Sequence, residues 1–211
     1  MMDWNMVLSI IALVISIIAI VQTAIQISIS NKQQLFDRRL KAYMKSSGLA
    51  ELYKTNKTLL EGKRADDPFY ANDLYFTWLT NNIDLEELAH SIKHPLEQPY
   101  HVNFLKKCEE LVSLAEEVEL IFSNNAAVIV ANYIKSYANV LMSMYQYQII
   151  LDNMRKENDK CAQTEEYLVS LFGEKEYREK LYASMNELKI ANDKLCQKDA
   201  LNKMRKSLKL S

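Results

Sequence analysis

The sequence predicts an all-α fold, in which an N-terminal transmembrane helix is followed by a cytoplasmic helical bundle. Residues 4–31 contain no charged side chain, which is the length and composition of a membrane span. Glycine and proline number only three each in 211 residues, which suits long helices and disfavours β-sandwiches and barrels. Elsewhere apolar residues recur three and four positions apart, and no segment shows the alternation of a strand. The residues after the span are numerous enough for one compact domain with its own core.

The uncharged run is long enough to cross a bilayer. At about 1.5 Å per residue it extends roughly 42 Å, against a hydrocarbon thickness of about 30 Å. A cleaved signal peptide is the competing interpretation, because Ser28 and Ser30 are spaced as at a cleavage site. The basic segment that opens a signal peptide is missing, since only Asp3 precedes the apolar run. We therefore expect residues 1–31 to be a retained transmembrane anchor.

Basic residues directly after the apolar run predict its orientation. Residues 32–64 contain nine Lys or Arg against three Asp or Glu. Positively charged flanks stay in the cytoplasm, so we expect the N-terminus outside and the C-terminal domain in the cytoplasm. We interpret residues 32–64 as a basic juxtamembrane helix. Its predicted membrane-surface residues are Lys32, Arg38, Arg39, Lys41 and Lys45.

Small and polar residues within the run recur every seven positions and predict a contact between two spans. In lipid there is no hydrophobic drive between helices, so their association depends on close backbone approach and interhelical hydrogen bonds. The alternative is that Ser and Thr only bond to carbonyls of their own helix. We call this stripe the seam, and it predicts a homo-oligomer formed through the span. The seam consists of Ser9, Ala12, Ser16, Ala19, Thr23, Gln26 and Ser30.

We interpret residues 65–211 as a helical bundle domain, after a polar loop at residues 62–68. Asp84 and residues 123–125 are candidate N-caps, and Gly173 separates two helices. A bend is expected near Gly48, where the apolar stripe moves to another face. The weakly charged segment after residue 125 favours a buried central helix over a second membrane crossing, because its polar residues would be costly in lipid. The predicted helices cover residues 69–79, 84–92, 104–122, 125–156 and both sides of Gly173.

The sequence contains no pattern typical of a catalytic or metal site. Its three glycines are isolated, so no phosphate-binding loop is formed, and its three cysteines include no CxxC pair. His90 and His94 have the spacing of a ligand pair, but a second Glu-x-x-His is missing and Pro95 ends the helix there. We expect no enzymatic activity, no cofactor and no metal. Twelve tyrosines are expected to fill the core, with their hydroxyls reaching outward.

The C-terminal tail is basic and amphipathic, with Lys203, Arg205, Lys206 and Lys209 beside Leu201, Met204 and Leu208. Such a segment can attach to anionic lipid or nucleic acid. It can equally dock on residues 65–193, which are acidic because they contain 22 Asp or Glu and 11 Lys or Arg. We expect no nucleic-acid partner.

Three stretches carry a resemblance to a known group. NKQQLFDRRLKAY at residues 31–43, FTWLTNN at residues 76–82 and MYQYQIIL at residues 144–151 are similar to segments of short bacterial membrane proteins with one N-terminal span. The similarity covers most of the chain. It implies a bacterial inner-membrane location, and it brings no mechanism, because that group has no assigned activity and the motifs are not catalytic signatures.

The functional expectation is a membrane-tethered helical interaction module, acting as a scaffold or sensor. Its expected partners are membrane lipid, a second copy of the chain and an unknown cytoplasmic protein. The alternative is an oligomeric pore or membrane-disrupting effector, because a stripe of Ser, Thr and Gln can line a polar path.

Overall fold

The computed structural model describes residues 4–61 and 68–208. Those residues form eight α-helices and no strand, which confirms the all-α prediction. Most of the expected loop at residues 62–68, and Lys209 of the tail, lie outside the described residues. The helices are α1 (Trp4–Glu61), α2 (Asn72–Leu79), α3 (Leu88–Ser91), α4 (Tyr100–Ile121), α5 (Asn125–Lys160), α6 (Glu165–Phe172), α7 (Glu174–Gln197) and α8 (Ala200–Lys206).

α1 is a single helix of 58 residues, which corresponds to a length of roughly 87 Å. Its helical assignment continues through Gly48, so the shift of the apolar stripe there does not break the helix. Every side chain from residue 8 to residue 35 is exposed. Beyond them, Ala42, Leu49 and Tyr53 are at most 2% exposed and belong to the core of the bundle.

α5 is the central helix of the bundle. α4 and α7 pack along it as its main neighbours, and α2, α6 and α8 also contact it. Val130, Ile134 and Leu141 of α5 are completely buried. This position explains why the segment carries so few charges, and it confirms the prediction of a buried central helix.

The tyrosines of α5 fill the core as predicted, but the expectation that their hydroxyls reach outward was wrong. The Tyr133 hydroxyl donates to the Leu49 carbonyl of α1 at 3.1 Å. The Tyr137 hydroxyl donates to the Leu79 carbonyl at 2.6 Å. Leu79 is the last residue of α2, and the carbonyls of a last helical turn have no partner within their own helix. The phenols therefore turn inward because other helices offer them acceptors there.

Two helix boundaries agree closely with the sequence. The Asn124 side chain accepts a hydrogen bond from the Ala127 N–H at 2.9 Å, which is the predicted N-cap of α5. Gly173 separates α6 from α7 and has a φ of 62°, a left-handed conformation that glycine adopts without a steric penalty.

Two other boundaries differ from the prediction. The predicted cap, Asp84, does not begin α3, whose N-cap residue is Glu87 and makes no side-chain cap bond. In the turns before α3, the Asn82 side chain accepts from the N–H groups of Asp84 and Leu85 at 3.1 and 2.9 Å. The last helix is also interrupted. Asp199 adopts a φ of 49° and separates α7 from α8.

Candidate interaction surfaces

The first half of α1 presents an uncovered apolar surface. Among the described residues, α1 is the one helix long and apolar enough to cross a membrane, and none of its most apolar window is buried. Leu13 is 61% exposed and Ile20 is 69% exposed. The contacts of α1 with the bundle come from its second half, where its side chains become buried.

The seam lies wholly on this exposed surface. The hydroxyls of Ser9, Ser16 and Thr23 each donate to the carbonyl four residues earlier at 2.8 Å. This is the local bonding pattern of the alternative interpretation, yet each hydroxyl oxygen can still accept a bond from another helix. Ala12, Ala19 and Gln26 are likewise exposed, and the Ser30 hydroxyl accepts from the Gln34 amide at 3.5 Å. The contact between spans stays a prediction.

The predicted membrane-surface residues divide into two groups. Arg38, Arg39 and Lys45 bind the bundle, whereas Lys32 and Lys41 are exposed and form no ion pair with a described carboxylate. Arg38 Nη2 lies 2.9 Å from Glu117 Oε1, and Lys45 Nζ lies 3.6 Å from Asp84 Oδ1.

Arg39 links α1 to the end of α4. Its Nε donates to the Ile121 carbonyl at 2.8 Å, and its guanidinium lies 5.8 Å from the ring centroid of Phe122. Ile121 is the last residue of α4, so the arginine caps that helix end. Sequence reasoning missed this role, because the two residues are 82 positions apart and no local signal pairs them.

A buried polar cluster joins α5 to the start of α7. The Tyr147 hydroxyl donates to the Glu174 carboxylate at 2.5 Å and accepts from the Phe69 N–H at 2.8 Å. Arg178 Nε lies 3.5 Å from the same carboxylate, and Glu174 is completely buried. Burial, together with the Glu174 carboxylate, raises the pKa of Tyr147 above its usual value, so the phenol remains a hydrogen-bond donor. The cluster therefore holds α5 against the start of α7 and against Phe69, which precedes α2.

A second buried polar contact joins α2 to α5. The Asn72 amide donates to the Met144 carbonyl at 2.9 Å and to the Gln148 side-chain oxygen at 3.0 Å. Both side chains are buried, and Gln148 in turn donates to Asp152 at 2.9 Å. These bonds satisfy the Asn72 NH2 group, which would be costly to bury alone. The Asn72 side-chain oxygen is also buried, and it has no hydrogen-bond partner among the described residues.

Two of the three histidines, His94 and His101, contact aromatic neighbours, and His90 is exposed. His94 stacks on Tyr100 with ring centroids 5.1 Å apart, and its Nδ1 lies 3.4 Å from a Glu97 oxygen. His101 Nδ1 lies 2.9 Å from the Tyr145 hydroxyl. Within residues 4–61 and 68–208, no group of three or more His, Cys, Asp or Glu side chains is placed to hold a metal ion.

The three cysteines differ in accessibility. Burial raises the pKa of the Cys108 thiol to about 12, so this thiol is unreactive at neutral pH. Cys161 and Cys196 are exposed. Cys161 follows the C-terminal end of α5, and Cys196 lies in the last turn of α7.

Two concave regions lie beside the central helix. A cavity of about 160 Å³ lies where α1, α2, α5 and α7 meet, and Tyr53, Leu79, Val140 and Leu188 are among its lining residues. A larger open groove of about 610 Å³ runs between α4 and α5. Its lining residues include Leu105, Val112 and Met142 with Glu109 and Lys135.

No family model, no curated protein and no solved structure matches this chain. The surfaces of the molecule are therefore the basis on which its function is proposed.

Proposed function

We propose that the chain is a single-pass inner-membrane protein whose cytoplasmic bundle is an interaction module, a scaffold or sensor that binds a protein partner. The observation that carries this proposal is that no residue of the most apolar window of α1 is buried against the bundle. Soluble monomers rarely expose contiguous apolar patches larger than a few hundred Å². A bilayer removes the cost of exposure, because its interior is as apolar as these side chains.

The continuity of α1 supports a role in communication between membrane and bundle. The same helix passes from the exposed apolar run to the buried residues Leu49 and Tyr53 without interruption. The Arg38–Glu117 ion pair and the bond from Arg39 to Ile121 fix it to α4. A change in how two spans cross would therefore move α4 and the core with it.

The composition of the seam favours a packed homo-oligomer over a pore. Ala12 and Ala19 allow two backbones to approach closely, which suits contact between helices rather than contact with water. The hydroxyls of Ser9, Ser16 and Thr23 already donate to their own helix, which lowers the polarity that they would offer to a channel. Overexpression of a pore would collapse the membrane potential, whereas overexpression of a packed scaffold would leave it intact.

The partner is sought with a photo-reactive amino acid placed on the bundle of the full chain in native membranes. Val112, Leu171 and Ile190 are exposed apolar positions on three different helices, and buried Leu141 is the matched control. We expect a discrete adduct of one partner protein from at least one exposed position and none from Leu141. Absence of a discrete adduct from every exposed helix face would contradict the interaction module.

A further inference from the structure

α8 lies at the end of the bundle from which α1 emerges. Arg39 of α1 reaches the last residue of α4, and the next helix begins only four residues later at Asn125. The Asn124 side chain donates to the Ser207 hydroxyl at 3.3 Å, just after α8. α8 also contacts α1 directly. The turn between α4 and α5 and the whole of α8 therefore share the end nearest the apolar run.

If the apolar run spans a bilayer as proposed above, this end of the bundle faces the lipid headgroups. The charge-free run of roughly 42 Å matches the thickness of a bilayer with its headgroups, about 40–45 Å. Residues 32–39 then bridge about 12 Å to the bundle. This gap is only slightly longer than the Debye length of about 8–10 Å, over which the field of the surface weakens without vanishing. Lysine and arginine side chains that extend into the gap therefore still experience the field of the membrane surface.

The docking of α8 is apolar and leaves its cations outward. Ala200 and Met204 are completely buried and attach the helix to the bundle. Lys198, Lys203, Arg205 and Lys206 are exposed, and none of them forms an ion pair with a described carboxylate. Four positive charges and only one negative charge, Asp199, therefore lie within nine residues. Ion pairs of these four cations with the described carboxylates therefore do not hold α8 on the bundle.

Three of these lysines border one groove. The groove has a volume of about 570 Å³, and its lining includes Lys198, Lys203 and Lys206 together with the start of α5. No carboxylate is among its lining residues. Such a concave basic surface suits a phosphate group, and a tether already holds it next to a lipid surface.

We propose that α8 and the start of α5 form a binding surface for the headgroups of anionic phospholipids. Lys198, Lys203, Arg205 and Lys206 would supply the charge, from a segment far along the chain from the span. Lipid is favoured over nucleic acid because this end points along α1 toward the apolar run. The proposal rests on the membrane-spanning role proposed for α1.

The two exposed cysteines provide a test with the full chain. Cys196 is two residues from Lys198 and is exposed. Cys161 lies just after the opposite end of α5, 36 residues or roughly 54 Å from Asn125 at the start of that helix. Each is labelled separately with a fluorescent donor, in a chain in which serine replaces the other. The protein is reconstituted into vesicles that contain a headgroup-labelled acceptor lipid. Vesicles of phosphatidylcholine alone are compared with vesicles that contain one third phosphatidylglycerol.

We expect energy transfer to be stronger from Cys196 than from Cys161 in both vesicles. Phosphatidylglycerol should increase transfer from Cys196 further, and K203E with K206E should abolish this gain. K156E with K160E at the far end of α5 is the charge-matched control, and it should retain the gain. All four lysines are exposed, so these changes leave the core intact.

The remaining outcomes separate the two proposals. Failure of the protein to float with the vesicles would refute the span itself. A protein that floats but shows no gain with phosphatidylglycerol, or a gain that K203E with K206E does not reduce, would overturn the lipid surface alone. Binding of a single-stranded oligonucleotide that K203E with K206E abolishes, without any response to lipid, would assign the surface to nucleic acid instead.

Discussion

The two halves of α1 place similar side chains in opposite surroundings. Leu13 in the first half is 61% exposed, whereas Leu49 in the second half is 2% exposed. The first half carries no charge from residue 4 to residue 31 and is apolar on every side except the narrow seam, whereas the second half is apolar along one side and charged along the other. An all-round apolar helix requires an apolar solvent, and a striped helix requires a protein neighbour. The distribution of apolar residues around the helix, rather than their number, decides what each half contacts.

The largest expected effect comes from placing charges in the first half. Leu13→Arg with Ile17→Arg should cost about 5–7 kcal/mol of insertion free energy, since each arginine at the centre of a span costs about 2.5–3.5 kcal/mol. The measurement is the fraction of full-length protein that remains in membranes after alkaline carbonate extraction. Met44→Arg with Thr55→Arg, at exposed positions of the second half, should leave this fraction unchanged.

The second largest effect is a difference in bundle stability between the same leucine-to-alanine change in the two halves of α1. Leu49→Ala should lower the unfolding free energy of the bundle by about 2–5 kcal/mol, because it removes a buried side chain from the core. Leu13→Ala should leave bundle stability unchanged. Urea unfolding in detergent, followed by circular dichroism, measures the difference. Equal effects of the two changes would contradict the division of α1.

Removal of a hydroxyl group should also affect bundle stability only where the hydroxyl is buried, and the effect should be smaller than that of Leu49→Ala. Tyr137→Phe removes the donor to the Leu79 carbonyl, and it should cost about 1–3 kcal/mol because a buried acceptor loses its partner. Ser16→Ala removes only a bond within the exposed helix and should not affect the bundle. The midpoint temperature of thermal unfolding should fall by about 2–4 °C for each kcal/mol of stability that Tyr137→Phe removes. An unchanged midpoint would show that this bond adds nothing to stability.

The seam should respond most weakly. Ser16→Leu with Ala19→Leu should leave insertion intact and weaken association by about 1 kcal/mol per contact, because leucine suits lipid but holds the backbones apart. Cysteine crosslinking at Ser16 and Ala19 is compared with crosslinking at Ile11 and Ile18 on other faces. Serine replaces Cys161 and Cys196, while the unreactive Cys108 is retained. Equal crosslinking on all faces would refute the seam.

Features that depend on short stretches of sequence were predicted successfully. The apolar run, the Asn124 cap and the helix break at Gly173 each follow from a few neighbouring residues. The role of Asn82 in the turns before α3 was missed because Asn82 and Asp84 both favour such positions and lie two residues apart. The break at Asp199 was missed because no glycine or proline marks it, and most aspartates do not adopt a left-handed conformation, although aspartate does so more often than most residues.

Features that depend on distant residues were not predictable. The partners of Arg39 and Tyr137 are 82 and 58 positions away, and no periodicity of the sequence connects them. The position of α8 beside the emerging α1 also depends on how α5 and α7 pack. The sequence therefore indicates which residues are apolar or basic, and the fold decides which of the basic residues remain unpaired.

The central claim is that α1 crosses the membrane once and places the bundle in the cytoplasm. It is tested most directly by labelling the full chain in intact spheroplasts with a maleimide that does not cross membranes. We predict that Cys161 and Cys196 are labelled only after permeabilisation. Asn5→Cys, in a chain with serine at both of those positions, should be labelled without permeabilisation. Labelling of Cys161 and Cys196 in intact spheroplasts, or protection of Asn5→Cys there, would contradict the proposed topology.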